Sequence, residues 1–88
     1  MTQTDLMKNF RALGCEVAPK SWDDVRGEEV VTTYGVTVSM SSMGSMAVRV
    51  VRETDEVDPA ALVAEMAKDL KARAKATRAA IRRERSQT

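Results

Sequence analysis

Three hydrophobic rhythms divide the chain. Leu6, Met7, Phe10 and Leu13 recur at helical spacing, with Thr4 placed to cap them and Gly14 to stop them, which predicts a short helix over 4–13. Alternation of period two then runs through EVVTTYGVTVSM and MAVRVVRE, and predicts a β-hairpin over 29–53. From Asp58 onward neither Pro nor Gly recurs after Pro59, and the residues are mostly Ala, Leu, Lys, Arg and Glu. That composition, with Asp58 as N-cap and Pro59 in the first turn, predicts a long helix over 58–85. The expected architecture is a single small α+β domain over 1–88, in the order α-β-β-α, with both helices on one face of the hairpin.

The register of the hairpin follows from its apolar sets. Val36, Val38 and Met40 face Val50, Val48 and Met46 if Ser41 and Ser45 close a three-residue loop, Ser42-Met43-Gly44, with Gly44 in the left-handed position. A two-residue Met43-Gly44 turn would set Arg49 opposite Val38, and is rejected on that ground. The expected core is Leu6, Phe10, Leu13, Tyr34, Val36, Val38, Met40, Met46, Val48, Val50, Leu62, Val63, Met66 and Leu70. Thr37, Ser39, Ala47, Arg49 and Val51 are expected on the outer face. Between the first helix and the hairpin, 15–19 reads as a connector held out of helix by Pro19, and 21–25 as one helical turn capped by Ser21.

On a helical projection of 58–85, Leu62, Val63, Met66, Leu70, Ala74, Thr77 and Ile81 form one stripe. Lys68, Lys71, Lys75, Arg78, Arg82 and Arg85 form another, spaced by three and four residues. The apolar stripe thins after Leu70, so the second half of the helix is expected to be held loosely or by a partner. The basic stripe reads either as a solvated face or as a binding face for phosphates or an acidic protein surface. It contains no aromatic residue on which a base could stack.

Charge sharpens this picture. Residues 1–60 carry six Lys/Arg and ten Asp/Glu, a net −4, while 61–88 carry eight and three, a net +5. The chain is an acidic body with a basic end. Aromatic residues make up 3% of its 88 positions, so the core is thin and assembly would supplement it. Trp22, in a polar stretch, reads as a lid on that core or as an interface anchor. Met43, at the loop tip, joins Trp22, Arg49 and Val51 as a protein-interface candidate.

The absence of histidine removes His-based acid–base and nucleophile chemistry and the commonest zinc sites. The four glycines are scattered and form no phosphate loop. Met40, Met43 and Met46 have no Cys or His beside them to build a soft-metal site. The carboxylates of 53–58 match no calcium-loop spacing and read instead as a collection at the positive end of a helix. A lone Cys15 forms no internal disulfide, points to a reducing compartment and sits where a helix C-terminus disfavours thiolate. No cofactor, no enzymatic activity and no membrane association are expected, and the N-terminus lacks a signal-peptide pattern, so a cytoplasmic location is expected.

The helix–hairpin–helix order is superficially similar to that of double-stranded-RNA-binding domains. Those carry a third strand and a Lys-rich start to the second helix, whereas here that start reads Asp58-Pro59-Ala60-Ala61-Leu62, with no cation before Lys68. No family is assigned. The expectation is a small non-enzymatic binding protein (a regulator, inhibitor or accessory factor, of a size common in phages and mobile elements) that occupies a surface of a larger protein or nucleoprotein assembly. Its alternatives are a self-assembling structural subunit and direct nucleic-acid binding through the basic helix. A homo-oligomer or hetero-complex is expected.

Overall fold

The computed structural model describes residues 1–42 and 44–86; Met43, the loop-tip candidate, lies outside the described residues, as does the side chain of Arg85. Helix α1 spans Gln3–Ala12, strands β1, β2 and β3 span Glu16–Arg26, Glu29–Ser42 and Ser45–Arg52, and helix α2 spans Pro59–Ser86. The strands form one antiparallel sheet in the order β1-β2-β3. Both helices pack on the same face, so the α+β class and the helix–hairpin–long helix frame hold, with one strand added in front of the hairpin.

Local chemistry accounts for the helix ends. Thr2, rather than Thr4, caps α1 by accepting from the Asp5 backbone N–H at 3.2 Å. The Glu53 carboxylate also accepts from the Gln3 backbone N–H, so one of the linker carboxylates serves the first helix and not the second. Gly14, at φ +87°, ends α1 in the left-handed conformation, and the Cys15 N–H closes back onto the Phe10 carbonyl. At α2, Asp58 caps as expected: its side chain accepts from Ala60 N–H at 3.2 Å and its carbonyl from Leu62 N–H at 3.0 Å.

Strand β1 replaces the expected connector and helical turn. It pairs with β2 along its whole length, from Glu16 opposite Ser39 to Arg26 opposite Glu29. As an edge strand it accommodates Pro19, whose missing N–H leaves no central ladder position unsatisfied. A two-residue turn, Gly27-Glu28, with Gly27 at φ +65°, joins it to β2.

The β2–β3 register also departs from expectation. Ser42 pairs with Ser45, Met40 with Ala47, Val38 with Arg49 and Val36 with Val51. This is the two-residue connection excluded on the sequence pattern, and it turns β3 over. Ala47 and Val51 are buried under the helices, whereas Met46, Val48 and Val50 lie half-exposed on the outer face. Arg49 is tolerated on the helix face because β3 is an edge strand. Its guanidinium pairs with the Asp69 carboxylate on α2. Small Ala47 leaves room for α2 to approach.

The core is therefore Leu6 and Phe10 from α1, Val36 and Val38 from β2, Ala47 and Val51 from β3, and Met66 and Leu70 from α2, with Cys15 at its edge. Met40, Leu62 and Val63 pack partly against it, whereas Leu13 and Tyr34 are exposed. Each fully buried Leu, Phe or Met contributes about 1.5–3 kcal/mol. Phe10 is the one aromatic ring in this cluster, which is as thin as the composition implies.

Two pieces project from this body in opposite directions. β3 stops at Arg52, opposite Gly35, but β1 and β2 continue as a two-stranded arm from Ser21 and Tyr34 out to the Gly27-Glu28 turn. Six paired positions carry the arm about 20 Å outward. α2 runs antiparallel to β3, since Asp69 meets Arg49 and, one turn on, Arg73 meets the Met46 carbonyl. The helix therefore overhangs the β2–β3 end of the sheet, opposite to the arm. The molecule measures 62 × 32 × 18 Å. Among the described residues no helix is long and apolar enough to cross a membrane.

Candidate binding groove

Among the described side chains Leu70 is the last buried one of α2; Ala74 is half-buried, and Thr77 and Ile81, on the same stripe, are exposed. Where the apolar stripe runs past the sheet, a groove of about 700 Å³ opens between α2 and the end of β2. Its floor is apolar: Met40 from the sheet, with Ala67, Leu70 and Ala74 from the helix. One lip carries the Ser41 and Ser42 hydroxyls. The helical wall carries Lys71, Lys75, Arg78 and Arg82.

The spacing of those cations explains why they converge. Steps of four, three and four residues hold them on one side of the rod, and their angular offset from the apolar stripe turns that side towards β2. Among the described residues no carboxylate lines the groove. Asp69 of the helix points across to Arg49 on β3. Four of the six predicted cations are thus gathered into one site, while Lys68 is exposed on the stripe outside it.

Arg73 was not singled out by the stripe, yet it holds the overhang in place by donating to the Met46 carbonyl. Nothing in the periodicity marks it. Thr77 bonds back to the Arg73 carbonyl at 3.0 Å, within the helix.

The other interface candidates are placed differently. Trp22 is half-buried on the outer face, where its ring lies over Gly35. The Lys20 ammonium stands 5.4 Å and the Arg52 guanidinium 4.8 Å from the ring centroid. Such contacts contribute about 0.5–1 kcal/mol each at an exposed site. The ring thus covers a bare stretch of sheet rather than lidding the core. Gln3 reaches the same level from the helix face, donating to the Gly35 carbonyl at 2.8 Å and the Lys20 carbonyl at 3.2 Å. Val51, expected on the outer face, is buried in the core, and Arg49 is turned to α2 by the register already described.

Burial pushes the Cys15 thiol up from its ordinary range, which keeps it protonated and unreactive at neutral pH. Among the described residues no three His, Cys, Asp or Glu side chains converge as metal ligands would.

The third strand removes one departure from the order of double-stranded-RNA-binding domains. The other stands, because the start of α2 carries Asp58 and Pro59 and its cations lie in the distal half. Comparison with family models, curated proteins and solved structures found no match.

Proposed function

We propose that this chain is a non-enzymatic binding protein whose groove receives an acidic, partly apolar segment of a protein partner. The observation that carries this reading is the joint presence of an apolar floor and a four-cation wall in one open groove. A segment with carboxylates beside aliphatic side chains satisfies both halves of it: the aliphatic groups leave water at the floor, and the carboxylates meet Lys71, Lys75, Arg78 and Arg82. A nucleic-acid backbone would use the wall alone, and among the described residues no aromatic ring lines the groove for a base to stack on. By occupying a partner's surface in this way, the chain would act as a regulator, an inhibitor or an accessory factor.

The reading is tested by fluorescence anisotropy, with a labelled peptide alternating Val with Glu and Asp, titrated beside a duplex oligonucleotide. The peptide is expected to bind at low salt. The Lys71→Gln/Lys75→Gln/Arg82→Gln variant is expected to lose about tenfold or more in affinity, since each exposed ion pair contributes up to about 1 kcal/mol. A duplex that binds on a steep salt slope while the peptide does not would move the site to phosphates and overturn the protein reading.

A further inference from the structure

The β1–β2 arm presents the chemistry that the groove lacks. Val25 and Val30 face each other across its tip, 73% and 61% exposed. Asp23 stands on the same face two residues along and Glu28 sits in the adjoining turn, while Asp24 and Glu29 lie on the opposite face of the ribbon with Arg26, so residues 21–34 carry a net −3. Asp23 accepts from the Thr32 hydroxyl at 2.8 Å, and this bond ties its carboxylate to the ribbon. An apolar pair of valines at a net-acidic tip complements an apolar floor walled by four cations.

The two features cannot meet within one molecule. The arm leaves the sheet at the Gly35 end of β2 and the groove opens at the Ser42 end, at opposite ends of a 62 Å body. We infer that the groove's occupant is a second copy of this chain, which inserts its β1–β2 arm tip there. This deepens, and rests on, the reading of the groove as a site for an acidic, partly apolar segment. The contact is heterologous: each copy offers one arm and one groove, so association runs head to tail and does not close at a dimer. A two-stranded tip covers little area, so the contact is weak and salt-sensitive.

Sedimentation velocity of the full chain over a wide concentration range, at low and near-physiological salt, tests this. The sedimentation coefficient is expected to rise with concentration at low salt and to fall back as salt is added. Two variants separate the ends. Val25→Lys/Val30→Glu removes the apolar tip but leaves an opposite-charge pair across the strands; Lys71→Glu/Lys75→Glu reverses the wall at exposed positions. Each alone is expected to sediment as a monomer. Their equimolar mixture retains one intact arm and one intact groove, and is expected to form a heterodimer that grows no further.

A parent chain that stays monomeric at every concentration overturns the inference, as does a dimer that persists in both variants, which would mark a symmetric contact such as the outer sheet face. The acidic peptide is titrated in parallel. A monomeric parent that binds it sinks the second-copy assignment and leaves the proposed function standing, whereas a parent that binds neither sinks both. The arm variant is expected to keep peptide affinity, which shows that its groove is folded.

Discussion

At the scale of single residues, Gly35 is the position where the sheet has least room. A Cβ there would lie 2.8 Å from the Arg52 Cα and 2.9 Å from the Trp22 ring, and closer still to the Val51 carbonyl. Two of those three obstacles are backbone, which cannot step aside as a side chain can. Gly35→Ala is therefore expected to cost about 1–3 kcal/mol, the usual range for overpacking. Urea unfolding should show a lower midpoint at unchanged slope. An alanine variant as stable as the parent would mean that β3 and Trp22 yield without cost, contrary to the packing described. Arg49 shows the opposite economy. Its pair with Asp69 is 30% and 41% exposed on the two sides, so it adds at most about 1 kcal/mol, and its larger effect is to permit a register that would otherwise bury a cation.

At the scale of elements, α2 is one helix with two environments. Leu62, Val63, Met66 and Leu70 rest on the sheet and α1, whereas from Lys75 to Arg83 every residue is exposed. Hydrogen exchange is expected to divide the helix there, with amides of Leu62–Leu70 at least about tenfold more protected than those of Lys75–Arg83. Uniform protection along α2 would contradict this. The thinning stripe made that division legible from sequence, as Asp58 and Pro59 made the helix start legible and the cation spacing made most of the groove wall legible. Strand β1 was not legible. Of its eleven residues only Val17 and Trp22 are even half-buried, so no period-two alternation develops, and Pro19 and the Asp23-Asp24 pair all argue against strand. Its one advance signal was the length of β2, whose residues 29–34 outrun any partner that the eight-residue β3 could offer. The β2–β3 register misled for a different reason: Arg49 was assumed to be excluded from a helix-covered face, and a carboxylate from 20 residues along the chain makes that face acceptable. The groove itself needed the packing of α2 on the sheet to be in place, because its floor joins Met40 to a helix about 30 residues further on.

At the scale of the whole molecule, shape matters more than bulk. A compact 88-residue domain has a radius of gyration of about 12 Å, and the Cα radius here is 17.5 Å. Small-angle X-ray scattering of the dilute protein at near-physiological salt should return the larger figure. A value near the compact one would mean that the arm or the overhang folds back on the body. The same extended form places the chain's one tryptophan at the joint between arm and body, with its ring on Gly35 and two cations close to it. Trp22 is thus a built-in optical gauge of that joint. Its emission changes when the arm lifts away from the Lys20–Arg52 clasp, even while far-ultraviolet circular dichroism, dominated by the helices, registers an intact body. A heating curve followed in both signals would separate the loosening of the arm from the melting of the fold, without any label being attached.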